Sequence, residues 1–196
     1  AAALPSHLRG RTIVPYHAGL DGGDRTKNQE TFMATPNSIA VATNAFGMGI
    51  NKPDVRFIVH YNVPGTLEAY YQEAGRAGRD GQLARCTLLY SFQDRKTQEF
   101  FIDKIGQDLP DADPAALDER KRRATDKLDL MTRYAQTHRC RRQQILDYFG
   151  DEADVLACQC DVCRGESGLV AVDPSLPVSE ELVTTVRQLL SAVARM

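Results

Sequence analysis

The sequence predicts an α/β fold, with a mostly parallel sheet followed by a small helical subdomain. Over residues 1–105, short apolar β-rich runs alternate with helical stretches, a pattern typical of parallel sheets that helices cover on both faces. Over residues 114–150, the apolar residues recur at helical spacing instead. A tight cysteine cluster follows, and such closely spaced thiols indicate a bound metal ion. We therefore expect a sheet domain at 1–105 and a metal-stabilised helical subdomain at 106–165.

Four strands and three helices make up the predicted sheet domain. The β-rich runs predict strands at residues 12–16, 39–43, 55–61 and 86–91. The intervening and following stretches predict helices near residues 24–33, 66–74 and 93–105. Cys86 lies inside the last strand, so we interpret it as a buried core residue.

The helical subdomain begins after a polar, proline-bearing boundary at residues 106–114. Two apolar stripes mark its helices, the first consisting of Leu117, Leu128, Met131, Tyr134 and Ala135 and the second of Ile145, Leu146 and Phe149. Residues 166–178 contain glycine, serine and two prolines and are predicted to be a linker. Residues 179–196 are predicted to begin a further helix, which Ser179 would cap.

Composition indicates a globular protein without a global attraction to nucleic acid. Hydrophobic residues make up 42% of the chain, charged residues make up 26%, and the net charge is −2, so contacts with nucleic acid must come from local patches. No apolar run is long enough to cross a bilayer, and no membrane partner is expected. Five cysteines, three of them clustered, favour metal binding in a reducing, intracellular compartment, with disulfide pairing as the alternative.

Two glycine-bearing blocks contain the residues best suited to phosphate chemistry. The run V-A-T-N-A-F-G-M-G-I-N at residues 41–51 leads from an apolar strand into a loop. The run Q-E-A-G-R-A-G-R at residues 72–79 places Arg76 and Arg79 three positions apart, with glycine between them. Arginines on a tight turn can neutralise charge on a phosphoryl group that is being transferred. A solvated loop is the alternative for this pair.

The cysteines have the spacing of a structural zinc site. Cys158, Cys160 and Cys163 form C-x-C-x-x-C, and Cys140 lies 18 positions upstream. Four thiolates around one Zn²⁺ would make a closed tetrahedral site, on which a small helical subdomain can depend for folding. His138 is the alternative fourth ligand.

The chain lacks the residues that cradle the phosphates of ATP. No G-x-x-x-x-G-K-[ST] motif occurs, so this chain alone is expected not to hydrolyse ATP. The letters D-E-A-D at residues 151–154 match a Walker B box. That box requires a preceding apolar strand, which is missing here. We therefore interpret these residues as part of the loop between the metal ligands.

Four blocks of the chain resemble the RecQ family of DNA helicases in the family's order. V-A-T-N-A-F-G-M-G-I-N-K-P-D-V-R-F-I-V-H-Y-N-V-P and Y-Y-Q-E-A-G-R-A-G-R-D-G resemble motifs V and VI. Y-H-A-G-L, with Arg25 and Phe32, resembles the motif IV region, and C-R-R-Q-Q-I-L-D-Y-F-G resembles the zinc-binding subdomain. The resemblance covers residues 10–165. The family's zinc pattern, C-x-x-C-x-x-C, would place a ligand at Ala157, where this chain instead has Cys158 one position later.

The resemblance implies a second RecA-like helicase domain that is incomplete at its N-terminus, then the zinc-binding subdomain, with residues 179–196 opening a winged-helix domain. It implies part of an ATP-dependent 3′-to-5′ DNA helicase of repair and recombination, in a bacterial cytoplasm or nucleoid rather than a nucleus. The expected partners are a missing first RecA-like domain and DNA at junctions between single strand and duplex. The expected cofactors are structural zinc, and ATP with Mg²⁺ in the intact enzyme. The alternative is a non-catalytic zinc-containing module that binds nucleic acid.

The resemblance also assigns roles to individual residues. Arg79 would be the arginine finger, with Arg76 beside it and Gln72 positioning phosphate or water. Nucleotide contacts would come from Arg79, Asn51 and Gly49, and contacts to the DNA backbone from Tyr16, His17, Arg25, Thr43 and Asn44. The alternatives are turn and helix hydrogen bonding for Gln72 and Asn51, and loop packing for His17.

Further basic residues offer contacts to phosphate. Lys52 and Arg56 flank Pro53, and arginines and lysines cluster at residues 120–123 and 139–142. Solvated side chains are the alternative. Arg141 and Arg142 can equally pair with acids such as Asp147 or Asp151.

Overall fold

The computed structural model describes residues 10–43, 46, 50–107 and 113–166. The chain divides into two compact units, the first reaching to Lys52 and the second beginning at Pro53. The predictions for Asn44, Gly49, the linker after residue 166 and the helix at 179–196 fall outside the described residues. The domain boundary expected at residue 106 stays a prediction.

The first unit is a strand, a helix and a second strand. β1 (Ile13–Tyr16) pairs in parallel with β2 (Ile39–Ala42), and Ile13 lies opposite Ile39. A parallel pair needs a crossover connection, which α1 (Gly22–Ala34) supplies. The Asp21 side chain accepts a 2.8 Å hydrogen bond from the Asp24 N–H and so caps this helix. The predicted alternation of strands and helices is confirmed here.

The second unit begins with the same arrangement. β3 (Phe57–His60) pairs in parallel with β4 (Arg85–Leu88), and α2 (Leu67–Ala74) lies between them in sequence. The hydroxyl of Thr66 caps α2 by accepting from the Ala69 N–H at 3.1 Å. Within the described ranges, each of the two sheets has two strands.

Three helices follow β4. They are α3 (Phe92–Asp103), α4 (Pro114–Ala135) and α5 (Arg141–Phe149). Ser91 and Asp94 form a reciprocal capping box at the start of α3. A proline stands in the first turn of α4, where its missing N–H costs no hydrogen bond. Gly150 ends α5 in the left-handed conformation, at φ +74°.

The main core of the second unit packs α2 against α4. Its buried members are Val63, Leu67, Tyr70, Met131 and Tyr134. Met131 and neighbouring Leu128 are 0% exposed, which confirms the centre of the stripe predicted for α4. Burying each such side chain contributes about 1.5–3 kcal/mol. This core therefore joins the sheet-bearing part of the unit to its helical part.

The prediction that Cys86 is a buried core residue was wrong. The residue is exposed and lines an open hollow of about 540 Å³, although its thiol donates to the Ala74 carbonyl at 3.5 Å and burial raises the pKa of that thiol. The hollow is lined mostly by alanine and glycine, together with Gln82 and Leu83. The D-E-A-D letters at residues 151–154 lie in the loop after α5, as expected. In the part of the chain that the structure describes, no helix is long and apolar enough to cross a bilayer.

Candidate nucleotide, nucleic-acid and metal sites

The two arginines of the glycine-bearing block lie on a tight turn after α2. Residues 75–81, here called the arginine turn, begin where the Arg76 N–H donates to the Glu73 carbonyl at 3.2 Å. The Gly81 N–H closes it on the Gly78 carbonyl at 3.0 Å. Gly78 has φ +64°, and a Cβ at this position would lie 2.8 Å from the Gln82 carbonyl oxygen. The turn therefore requires glycine at residue 78.

The structure places the three predicted catalytic residues on one helix end and the turn that follows it. Gln72 is exposed on the last turn of α2. Arg76 is half-buried, and Arg79 is exposed, with its Nε 3.5 Å from the Gly75 carbonyl oxygen. This arrangement presents two guanidinium groups and an amide within one short segment. Their roles remain predictions.

A side-chain hydrogen bond that the sequence did not reveal anchors α2 just before this turn. The His60 Nε2 lies 2.8 Å from a carboxylate oxygen of Glu73, and the His60 side chain is buried. The ring of Tyr70 packs 5.0 Å from the imidazole. His60 is the last residue of β3, after three apolar residues. A polar residue at the end of an apolar strand was the only sign in the sequence that this position makes a specific contact. The pair joins the end of β3 to the last turn of α2.

In the first unit, the predicted DNA-binding residues lie where β1 and β2 end. Tyr16 ends β1, His17 follows it, and the Thr43 N–H donates to the Tyr16 carbonyl at 3.1 Å. The Tyr16 ring packs against Phe46 at 4.7 Å. Ligands of open α/β sheets bind outside the carboxyl ends of parallel strands. The edge formed by Tyr16, His17 and Thr43 therefore suits a ligand.

Two other predicted contacts belong to the same unit. Arg25 is half-buried near the start of α1, where its N–H donates to the Asp21 carbonyl at 3.1 Å. Asn51 is exposed and directly precedes Lys52. Their contacts to DNA and nucleotide remain predictions.

The basic residues that flank Pro53 serve the protein's own packing. The Lys52 side chain is buried, its Nζ donates to the Met33 carbonyl at 3.3 Å, and it lies over the Phe32 ring at 5.6 Å. The guanidinium of Arg56 pairs with Asp80. Neither arrangement supports the expected contact to phosphate.

The basic clusters are largely paired within the chain. Arg122 and Arg123 both pair with Glu119, and Arg139 pairs with Asp147. Arg141 pairs with Asp161 rather than with the acids that the sequence suggested. Local neutralisation weakens these clusters as DNA-binding patches.

Four cysteine sulfurs converge on one point in the second unit. The Sγ atoms of Cys140, Cys158, Cys160 and Cys163 all lie within 4.8 Å of one another. Tetrahedral zinc, with Zn–S bonds of about 2.3 Å, separates its sulfurs by about 3.8 Å, so the cluster fits this ion. Cys158 takes part although its spacing differs from the family pattern. All five cysteines are free thiols, and His138 is not a member of the cluster.

The surroundings of the cluster favour the thiolate form of Cys160. Burial opposes ionisation of Cys160, but backbone N–H groups of Cys163 and Arg141 and the neighbouring thiols outweigh it and lower its pKa to about 7. Hydrogen bonds that the Cys163 thiol donates to Cys140 and Cys160 raise the pKa of Cys163 to about 12. A cation that binds four thiolates must therefore displace protons, and zinc affinity must rise with pH.

An ion pair that the sequence also did not reveal supports the cysteine loop. The Nε and Nη2 atoms of Arg141 grip the Asp161 carboxylate at 2.5 and 2.8 Å. Its Nη1 donates to the Tyr134 carbonyl at 2.9 Å. The Arg141 hydrogen bond holds the pKa of Asp161 below its usual range. One guanidinium therefore ties α4, α5 and the loop of Cys160 and Cys163 together.

Comparison with known proteins gives two family matches that do not overlap. Residues 2–81 match the helicase conserved C-terminal domain, and residues 92–164 match the RecQ zinc-binding family. The ATP-dependent DNA helicase RecQ of Bacillus subtilis is 40% identical over 148 residues, covering 76% of this chain and 23% of that protein. The ATP-dependent DNA helicase hus2/rqh1 of Schizosaccharomyces pombe is 40% identical over 161 residues, covering 81% and 11%. The chain thus spans at most about a quarter of the length of these relatives.

Proposed function

The chain belongs to the RecQ family of helicases, as a helicase C-terminal domain followed by the RecQ zinc-binding region, and from this premise we propose that it forms part of an ATP-dependent DNA helicase. The observation that carries the proposal is the arginine turn, which holds Arg76 and Arg79 directly after α2. The four clustered cysteines are the structural zinc site of the zinc-binding region. The sequence has no P-loop, so a separate domain must cradle the phosphates.

In the proposed mechanism, Arg79 acts as the arginine finger. Water attacks the γ-phosphorus and loses a proton to solvent, the bond to the β–γ bridging oxygen breaks, and ADP leaves with the electron pair. Arg79 neutralises the charge that develops on the transferred group, with Arg76 beside it, while Gln72 orients phosphate or water. Mg²⁺ bound with ATP supplies further charge neutralisation. We also assign nucleotide contacts to Asn51 and Gly49 by their family resemblance.

The proposed nucleic-acid contacts come from the ends of β1 and β2. Tyr16, His17, Arg25, Thr43 and Asn44 would bind phosphates of the DNA backbone without reading its bases. Translocation in the 3′-to-5′ direction, action at junctions of single strand and duplex, and a role in repair and recombination belong to the same proposal. Support comes from Tyr16, His17 and Thr43, which lie at the carboxyl ends of the parallel strands β1 and β2.

Replacement of Arg79 in the intact protein tests the catalytic assignment. Arg79→Ala is expected to reduce DNA-stimulated ATP turnover by about 10³-fold, because a finger acts mainly in the transition state. ATP binding, measured by equilibrium titration, is expected to persist. Arg133→Ala, which removes an exposed arginine from the last turn of α4, is the matched control. Near-normal turnover of Arg79→Ala would refute the role. An intact protein that binds DNA but never hydrolyses ATP would support the non-catalytic alternative.

Replacement of Thr43 tests the nucleic-acid assignment separately. Thr43→Val is expected to weaken the binding of single-stranded DNA about threefold to tenfold for every sequence tried, because phosphate contacts carry no base information. Affinity is expected to fall steeply with salt. Thr97→Val, at an exposed threonine of α3, is the control. If Thr43→Val and Thr97→Val bind single-stranded DNA equally well, Thr43 does not contact the DNA.

A further inference from the structure

We propose that Arg56 is a positioning residue for the arginine turn, and that with Asp80 it fixes the backbone from which Arg79 projects. The inference rests on the proposed catalytic role of Arg79. It extends that role to a residue whose sequence context suggested phosphate binding instead.

The backbone on both sides of Arg79 is tied to residues 53–56, the entry segment that leads into β3. The Gly78 N–H donates to the Val55 carbonyl at 3.0 Å, and the Asp80 N–H donates to the Pro53 carbonyl at 3.2 Å. Arg79 therefore stands between two residues whose main chains are bonded to a strand entry. These two main-chain bonds hold the arginine turn against the segment that leads into β3. After Asp80, the Gly81 N–H bonds to the Gly78 carbonyl at 3.0 Å, within the turn itself.

The Arg56 side chain supplies the additional fastening. Its Nη2 pairs with Asp80, its Nε donates to the Asp54 carbonyl at 3.0 Å, and its Nη1 reaches the Leu83 carbonyl at 3.4 Å. The other oxygen of Asp80 accepts from the Gln82 N–H at 3.0 Å. A planar guanidinium with several fixed donors suits this bridging, whereas the ammonium of lysine does not. Arg56 thus links the entry segment to both ends of residues 80–83.

The location of this clamp favours a role in geometry over a role in stability. The side chains of Arg56 and Asp80 are 38% and 29% exposed, and ion pairs open to water add little to folding. The Arg79 side chain is exposed and its Nε lies 3.5 Å from the carbonyl oxygen of Gly75, at the start of the same turn, so a shift of the turn's backbone moves the guanidinium. A misplacement of about 1 Å can cost a catalytic group on the order of 100-fold in rate. The clamp is therefore expected to affect turnover more than folding.

The test measures ATP turnover in the intact protein for variants of both partners. Arg56→Gln and Asp80→Asn are each expected to lower kcat by about tenfold to 100-fold, with KM for ATP within about twofold of the parent. Arg56→Lys is expected to fall between the parent and Arg56→Gln, because it keeps the charge but loses the bridging donors. The double variant is expected to be no slower than the slower single variant, since both changes remove one interaction.

Arg95→Gln is the matched control, because Arg95 forms ion pairs of similar exposure with Glu99 and Asp129, far from the turn in sequence. It is expected to keep kcat. Circular dichroism and zinc content establish whether each variant is folded. If Arg56→Gln does not fold, Arg56→Lys takes its place in the comparison. If turnover requires Arg79 but is unchanged in Arg56→Lys and Asp80→Asn, the clamp is wrong and the proposed function stands. If Arg79→Ala keeps full turnover, the proposed function itself fails.

Discussion

Gly78 shows how a residue without a side chain determines the shape of a functional turn. We expect Gly78→Ala to destabilise the second unit by about 1–3 kcal/mol, because it combines a left-handed backbone with a close approach of Cβ to the Gln82 carbonyl. Gly81→Ala is the matched control, since Gly81 has φ +78° but open space around its Cβ position. Its cost is expected to be about 1 kcal/mol. Urea unfolding of both variants makes the comparison, and equal losses would show that the close approach is relieved at no cost.

Cys158 tests whether an altered spacing still supplies a zinc ligand. Cys158→Ser is expected to reduce zinc from about one ion per chain to less than half, because three thiolates leave the tetrahedral site open. Cys86→Ser, which removes the thiol outside the cluster, is expected to retain full zinc. Metal analysis by mass spectrometry decides. If Cys158→Ser still binds about one zinc ion per chain, Cys158 is not a required ligand and another residue holds that position.

At the scale of elements, Glu68 and Lys127 join α2 to α4 through a 2.6 Å ion pair. Burial opposes ionisation of Glu68, but Lys127, a backbone N–H and the Tyr148 hydroxyl outweigh it and lower the pKa from 4.5 to about 2. The folded pKa lies below the unfolded one, so the contribution is complete above pH 4.5 and is lost as pH falls toward 2.

Glu68→Gln is therefore expected to cost about 1 kcal/mol at pH 7, after allowance for screening by water. It should also flatten the acid dependence of stability between pH 4.5 and 2. Glu152→Gln is the control, because it removes an exposed carboxylate from the loop after α5 in the same unit. Unfolding curves across this pH range test the prediction. An unchanged acid profile in Glu68→Gln would contradict it.

A second contact between elements depends on Arg141, which ties α4 and α5 to the cysteine loop. Arg141→Ala is expected to destabilise the zinc region by about 2–3 kcal/mol, because it leaves Asp161 and the Tyr134 carbonyl without their partner. It should also weaken zinc binding by about tenfold or more. Arg142→Ala, at an exposed neighbour, is the control. Chelator competition measures zinc affinity, and thermal unfolding measures stability. If both are unchanged in Arg141→Ala, the guanidinium does not support the cysteine loop.

The elements themselves could be predicted from the sequence, whereas their side-chain links could not. Apolar runs bounded by turn residues predicted four strands with their intervening helices, and the structure confirms each within a few residues. The cysteine cluster was equally visible because metal ligands are chemically distinctive. The links His60–Glu73, Arg56–Asp80 and Arg141–Asp161 join residues 13 to 24 positions apart, and such side-chain contacts follow no periodicity. Cys86 was misplaced because an apolar strand pattern does not show which of its residues are covered, and the first two residues of β4 are exposed.

At the scale of the molecule, contacts run without a break from the zinc region to the arginine turn. Arg141 bonds to Tyr134, whose ring packs 5.2 Å from Tyr70. Tyr70 packs against His60, which binds Glu73 just before the turn. Loss of zinc is therefore expected to disturb more than the cysteine loop.

Removal of zinc by a strong chelator is expected to lower the thermal midpoint of the second unit by about 10 °C, since several kcal/mol of folding free energy depend on a structural ion. DNA-stimulated ATP turnover of the intact protein should fall with it, and added zinc should restore both. The same chelator should change Cys158→Ser little. If the thermal midpoint of the parent protein does not change when the chelator removes zinc, the ion contributes no stability.

The hollow beside Cys86 has a practical use. Four of the five cysteines belong to the zinc cluster, so a maleimide fluorophore added to the metal-loaded protein should attach at one place. That place is lined by Ala77, Gly78 and Gly81 of the arginine turn. The dye would therefore act as a reporter beside the proposed finger, and its emission could follow nucleotide-driven movement without any engineered cysteine.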